Sequence, residues 1–178
     1  MKITRRTIHG TLLYIFNRGV LIIGESGTGK SRIARDILGH MDFFGQCGLV
    51  RSGRLVADDI IELEMTSEGL VGAAPHTLFG LLEISGVGII DVRRVFGPSL
   101  VRRSSSIDII VRLEESPDVL TAAPKMTVSI NSHGEEDIPV IYIAAGVSGD
   151  AVAAAVIEHI MIEAGVEAPV LDELVKQR

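Results

Sequence analysis

Apolar residues in the first two thirds of this 178-residue chain fall in short runs rich in Val, Ile and Leu, separated by Gly, Pro, Asn or Ser. Runs of that length and composition predict β-strands. They lie at Leu12–Phe16, Val20–Ile23, Leu55–Ala57, Ile60–Glu64, Leu81–Ile84, Ile89–Val92, Ile107–Leu113, Met126–Ile130 and Val140–Ala144. Two segments carry helical periodicity instead. Lys30–Leu38 follows a glycine-rich turn and is expected to stop at Gly39. Ala151–Ala164 places Val152, Val156, Ile160 and Ala164 four residues apart, with Asp150 as its expected N-cap and Gly165 as its C-cap. The pattern predicts one α/β domain with more strands than helices. No repeat, low-complexity tract or linker divides it.

Composition narrows the class. Hydrophobic residues make up 47% of the chain and its mean hydropathy is +0.37. The longest uncharged apolar stretches, around Gly69–Leu82 and Ile138–Gly149, are shorter than the roughly 18–20 residues that span a bilayer. Lys2, Arg5 and Arg6 before Leu12–Phe16 imitate a secretion signal, but Asn17-Arg18-Gly19 interrupts the run and no cleavage pattern follows. The apolar excess is therefore expected in a core or a subunit interface, with no membrane association. A single cysteine, Cys47, cannot close an intrachain disulfide, so a cytoplasmic location is expected.

Net charge is −6, and the acids are concentrated at one end. From Gly134 onward nine acids face only Lys176 and Arg178, which leaves the preceding body close to neutral. With no Trp, five Phe and two Tyr, the chain lacks both the charge and the stacking faces of a nucleic-acid binder.

Candidate chemistry begins at Gly24-Glu25-Ser26-Gly27-Thr28-Gly29-Lys30-Ser31, which satisfies G-x-x-x-x-G-K-[ST] at every fixed position. Glycines let backbone N–H groups converge on a phosphate where a Cβ would intrude. Lys30 can reach the outer phosphates and the Ser31 hydroxyl can bind Mg²⁺. The helix starting at Lys30 directs its positive end at the same anion. The strand–loop–helix context predicts a nucleoside triphosphate site.

Arg54–Asp59 reads as an apolar strand ending in paired aspartates. Beside a phosphate loop, one carboxylate can serve the metal and the other an incoming hydroxyl. Both can face one site only if the strand ends or turns there, since side chains alternate. A solvated turn is the ordinary alternative. A third element, Leu82–Asp91, holds Glu83, then Gly86 and Gly88, then a strand; a tight turn explains those glycines equally well.

These blocks, with Ile8-His9-Gly10 before them and Phe96-Gly97 after, resemble in content and order the catalytic domain of HPr kinase/phosphorylase, the bacterial serine kinase of the sugar phosphotransferase system. The resemblance spans about residues 8–115 and is most specific in Leu82–Asp91. It implies a P-loop domain with a mixed, curved sheet and helices on one side, similar to the nucleotide domain of phosphoenolpyruvate carboxykinase. It also implies ATP and Mg²⁺ as cofactors, HPr as protein partner and a homo-oligomer, in the family a hexamer. By the same resemblance Lys30 contacts the nucleotide phosphates, Ser31 and Glu83 bind Mg²⁺, and Asp59 is the base for the target serine hydroxyl. His9 lies near the phosphates, and Asp58 supports the metal or the base.

The chain also departs from that pattern. Residues 1–178 are read as a single catalytic domain without the family's N-terminal regulatory domain. Extra residues, including Phe43-Phe44 and Cys47, stand between Gly39 and Gly53. Ser85 replaces the family's Arg, and neither its later loop Arg nor its Pro-Gly-Arg-Asn segment has a counterpart in Ser116–Lys125 or Asn131–Asp137. The expected activity is therefore kinase, with the reverse phosphorylase reaction unsupported. A P-loop kinase for another protein or small molecule, or a non-catalytic nucleotide-binding oligomeric module, are the alternatives.

The remaining candidates are read as structural. His40, His76, His133 and His159 lack metal-ligand spacing, and Cys47 has no partner motif. Arg93, Arg94, Arg102 and Arg103 form a basic cluster read as a solvated face, with docking of an acidic surface or a phosphate as the alternative. Arg102–Ser106 is expected to be a loop.

Overall fold

The computed structural model describes residues 6–46, 53–115, 125–129 and 135–165. Strands β1 (Arg6–Ile15), β2 (Arg18–Gly24), β3 (Arg54–Thr66), β4 (Gly69–Ala73), β7 (Ser104–Ser106), β8 (Ile109–Glu114), β9 (Lys125–Ser129) and β10 (Glu135–Ala144) form one mixed sheet. Its order is β7-β4-β3-β1-β2-β8-β10-β9, with β2, β8 and β10 parallel and the other neighbours antiparallel. β5 (Leu81–Ile84) and β6 (Gly88–Asp91) make a separate hairpin. The helices are α1 (Lys30–Gln46), the short α2 (Val92–Val95) and α3 (Gly149–Glu163).

Alternation along the strands sorts the aliphatic residues into two cores. Leu13, Ile15, Val20, Ile22 and Val111 pack with Ile33 and Ile37 of α1 and with Val152 and Val156 of α3. Leu12, Leu21, Ile61, Leu70, Ile110 and Val140 fill the other face. Both long helices thus lie on one side. Gly149 lets α3 approach α1 closely, since a Cβ there would stand 2.7 Å from Asp36 Cβ and 2.9 Å from the Ile33 carbonyl.

Several expected boundaries change. Leu55–Ala57 and Ile60–Glu64 are one strand, β3, because pairing with β1 continues through Asp58 and Asp59. A bulge leaves Val56 without a partner, between the pairs Leu12–Ala57 and Leu13–Leu55. β1 ends at Ile15, and Phe16 and Asn17 both take positive φ, the geometry of a tight hairpin turn. α1 continues past Gly39, because one glycine in a helix interior costs only about 1 kcal/mol and pairing along the helix resumes. Part of the extra segment after Gly39 is therefore helix.

α3 is capped by Ser148, whose side chain accepts from the Ala151 amide, and Asp150 lies within its first turn. Gly165 follows with φ 69°, as a terminating glycine should. β4 lies in a stretch without an expected strand, and Ser104–Ser106 pairs with β4 instead of forming a loop. Cys47, His133, Ser116–Pro124, Asn131–Gly134 and the acids beyond Gly165 lie outside the described residues.

Among the described residues no helix is long and apolar enough to cross a membrane, which says nothing of a β-barrel.

Candidate active site

The Gly24–Ser31 loop joins the end of β2 to the start of α1, as its motif predicts. Gly27 and Gly29 have φ of +84° and +97°, a left-handed backbone that any side chain would strain. The loop is closed internally. Thr28 Oγ1 donates to the Glu25 carbonyl at 2.8 Å, and the Ile33 amide donates to Gly29 at 2.9 Å, the first helical bond of α1. Lys30 Nζ folds back over the loop and donates to the carbonyls of Gly24 at 2.9 Å and Glu25 at 2.8 Å. Glu25 and Ser26 are exposed.

A second support comes from the β10–α3 connection. Arg32 donates to the carbonyls of Gly146 and Val147 at 2.6 and 2.9 Å, and the Gly146 amide donates to Thr28 at 3.4 Å. No motif announced this clamp, because both of its acceptors are backbone atoms far along the chain.

The paired aspartates have unlike surroundings. Asp58 is buried at 5% exposure and accepts three hydrogen bonds. Its Oδ1 receives the Thr11 hydroxyl at 2.7 Å and the Ser31 hydroxyl at 3.2 Å, while Oδ2 receives the Glu83 amide at 3.1 Å. One carboxylate therefore ties together β1, the head of α1 and the β5–β6 hairpin. Thr11 is a site residue that sequence reasoning missed; a threonine in an aliphatic strand carries no signal until its partner is known.

Asp59 takes φ 67° inside β3, a left-handed conformation that Asp tolerates better than most residues. The strand does not end at the pair but turns there. The turn brings the Asp59 carboxylate to His9, whose Nδ1 lies 3.3 Å away. His9 and Thr11 share a face of β1 by alternation, so the two aspartates serve neighbouring positions. Both His9 and Asp59 are open to solvent, with side chains 80% and 61% exposed.

Glu83 is exposed on β5 and paired with Ile89, while Leu82 and Ile84 on either side of it are buried. Gly86 and Gly88, with φ of 80° and 100°, form the hairpin turn that includes Ser85. The hairpin ends at Asp91, which caps α2 by accepting from the Arg93 amide at 3.0 Å. The Arg93 guanidinium bonds the same carboxylate at 2.9 and 2.7 Å and holds its pKa at about 2, below the usual 3.8. That bond also raises the pKa of Arg93.

The arginine cluster separates around aromatic rings. Arg93 and Arg103 stack on Phe79, and Arg102 lies 4.1 Å over Tyr14 while donating to the Ser104 carbonyl. His159 sits 3.4 Å from Glu163, and His76 is exposed.

A cavity of about 720 Å³ reaches the loop through Gly24, Glu25 and Thr28, and His9 lines it. Its floor is the sheet face away from the helices, and Glu114 and Glu115 stand on its wall. Asp58, Ser31 and Glu83 lie outside it.

Comparison with known proteins gives a consistent result. A family model described as the HPr serine kinase C-terminal domain matches residues 2–174. The HPr kinase/phosphorylase of Levilactobacillus brevis is 44% identical over 111 residues, 62% of this chain and 32% of that protein. That of Caldicellulosiruptor bescii is 42% identical over 113 residues, again 62% and 32%. The chain thus aligns with about a third of the length of these relatives. In three dimensions it is similar to the HPr(Ser) kinase/phosphatase from Coxiella burnetii, with a TM-score of 0.73 and 25% identity over 89% of this chain and 98% of that one.

Proposed function

This chain belongs to the family of HPr serine kinase C-terminal domains, and from that premise we propose that it is an ATP-dependent protein serine kinase acting on HPr. It would transfer the γ-phosphoryl group of ATP to a serine of that phosphocarrier protein in the cytoplasm. The observation that carries the reading is the split between two consecutive aspartates. Asp58 is buried and bonded to the Ser31 hydroxyl, whereas Asp59 is turned to an exposed position beside His9. That split suits phosphoryl transfer to a hydroxyl, with one acid to organise a cation and one to meet the incoming hydroxyl.

The residues present fit ATP and Mg²⁺. The loop offers backbone N–H groups at two left-handed glycines and an ammonium already held at its mouth by carbonyl oxygens. Ser31 donates its proton to Asp58, which leaves its oxygen lone pairs free for a hard cation. Glu83, on the strand tied to Asp58, would add a carboxylate. Bound Mg²⁺ would neutralise charge on the transferring phosphoryl group and orient it.

The chain's own residues do the rest. Lys30 exchanges its carbonyl partners for phosphate oxygens and balances their charge. The Asp59 carboxylate accepts the proton of the acceptor serine as its oxygen bonds to the γ-phosphorus, the bond from that phosphorus to the β–γ bridging oxygen breaks and ADP leaves; His9 holds the carboxylate in place. We read the Gly24–Ser31 element as a P-loop, and the sheet with both long helices on one side as akin to the phosphoenolpyruvate carboxykinase nucleotide domain. Homo-oligomerisation fits the exposed Ile162 on α3 and the exposed Val87 and Ile89 on the hairpin.

The test is label transfer from γ-labelled ATP to purified HPr from the same organism, with and without Mg²⁺. Mg²⁺-dependent labelling of HPr is the expected result. ATP binding without labelling would overturn HPr as the acceptor, and failure to bind ATP would overturn the site itself.

A further inference from the structure

We propose that Thr11 is a positioning residue whose buried hydroxyl locks the Asp58 carboxylate in the rotamer that serves Ser31 and the Glu83 amide together. The consequence for phosphoryl transfer rests on the function proposed above; the locking does not.

Burial makes the Thr11 hydroxyl conspicuous. Leu12, Leu13 and Ile15 of the same strand are fully buried, and Thr11 is buried with them at 0% exposure. A valine would satisfy shape and strand preference equally well there. A hydroxyl in that position needs a partner, because an unpaired buried donor costs about 1–3 kcal/mol. The register supplies one, since Thr11 stands directly opposite Asp58.

The three bonds to Asp58 are not equivalent. Thr11 makes the shortest, 2.7 Å, and it is the bond sealed from solvent. The Ser31 bond is longer at 3.2 Å and only partly buried, and the Glu83 amide bond is 3.1 Å. Hydroxyl-to-carboxylate bonds near 2.7 Å are charge-assisted and among the stronger ones available. Ser31 and Glu83 both belong to elements that the cation would contact, so their bonds to Asp58 must adjust as it binds. Thr11 is sealed from solvent, and its bond to Asp58 is buried. It is the fixed end of the arrangement, and it holds Oδ1 while the other two partners move.

Rotation of the carboxylate would therefore be felt at two places. Ser31 would lose the acceptor that keeps its lone pairs facing outward. The Glu83 amide would lose its acceptor, and the β5–β6 hairpin its tie to β3.

The experiment compares Thr11→Val with Thr11→Ser. In the protein without nucleotide or metal, hydrogen exchange at the Glu83 amide should accelerate about tenfold in Thr11→Val, the equivalent of one bond to a charged group. The Mg²⁺ concentration for half-maximal label transfer should rise several-fold. Thr11→Ser should restore both. In an Asp58→Ala background, which removes the acceptor of both the Thr11 hydroxyl and the Glu83 amide, adding Thr11→Val should not accelerate exchange at Glu83 further.

Wild-type exchange at Glu83 and wild-type Mg²⁺ dependence in Thr11→Val, whatever its melting temperature, would overturn the proposal. Should Thr11→Val not fold, Thr11→Cys retains a weak donor of similar size and should exchange faster at Glu83 than Thr11→Ser; exchange at the wild-type rate in that variant would overturn it equally. Accelerated exchange at Glu83 in Thr11→Val, beside a wild-type protein that itself transfers no label, would leave the lock standing and remove the kinase reading instead.

Discussion

Ser31, at the head of α1, donates its hydroxyl to Asp58 at 3.2 Å across an intervening strand. Asp58 belongs to β3 and the loop leaves β2, so β1 runs between them. The contact joins the glycine-rich loop to the acidic strand, two elements that are 27 residues apart in the chain. It also explains why Asp58 can stay buried: each of its oxygens has a donor, and a buried carboxylate without such donors would be strongly unfavourable.

Asp59→Asn should abolish phosphoryl transfer while leaving the fold intact. Asn tolerates the left-handed backbone at this position as Asp does. Loss of a positioned base lowers rates by about 10²–10⁴-fold. Single-turnover transfer and equilibrium ATP binding, measured on the same preparation, should show the first reduced to that extent and the second unchanged. Near-normal turnover would remove Asp59 from the role of base.

Gly27→Ala and Gly29→Ala should each cost about 1–2 kcal/mol through backbone strain alone. No atom lies within 4 Å of a Cβ built at Gly27, so steric overlap does not contribute there. Thermal melts should show the loss in both variants. ATP should also stabilise them less than wild type, because the loop amides no longer converge.

Gly149→Ala should destabilise through packing instead. Its Cβ would meet the Asp36 Cβ and the Ile33 carbonyl, neither of them the end of a flexible side chain. Overpacking of this kind costs about 1–3 kcal/mol. The loss should appear in denaturant melts, and hydrogen exchange should place it at the α1–α3 contact. An unchanged midpoint would mean that the helices separate without penalty.

The Asp91–Arg93 pair predicts an acid-side pH dependence. The folded carboxyl titrates at about 2 against an ordinary value of 3.8, so the folded state binds its proton less readily than the unfolded chain. The stabilisation is present above pH 3.8 and is lost as pH falls through about 2. Carboxyl-detected NMR should give a midpoint near 2 for Asp91, and Asp91→Asn should flatten the decline in stability between pH 4 and 2. A midpoint at 3.8 would show that the guanidinium bond does not persist in solution.

Much of the site was legible because its chemistry is local in sequence. Gly27 and Gly29 must be glycine for backbone reasons, and Lys30 and Ser31 follow them at the head of a helix; adjacency along the chain suffices to place all four. The turn between the strands of Leu82–Asp91 was also readable, from Gly86 and Gly88 alone, and the two take positive φ. The family resemblance drawn from those blocks is borne out by the match over residues 2–174.

Features that depend on partners distant in sequence were not legible. The aspartate pair was expected at a strand end, yet β3 runs on to Thr66 because pairing with β1 outweighs the local turn signal. Gly39 was expected to end α1, yet the helix continues, since a single unfavourable residue does not offset the hydrogen bonds beyond it. Ser148, and not Asp150, caps α3, because only Ser148 has the extended backbone that aims its oxygen at the Ala151 amide.

The sequence by itself determined the class of domain, the glycine-rich loop, the acids that accompany it and the family to which they point. Those depend on residue type and on spacing over a few positions. Tertiary structure alone decided that Asp58 is buried and Asp59 exposed, that Thr11 opposes the first and His9 meets the second, and that Arg32 ties the loop to the β10–α3 connection. The reason is register: two identical side chains next to each other acquire different surroundings only when strands from elsewhere in the chain are laid beside them.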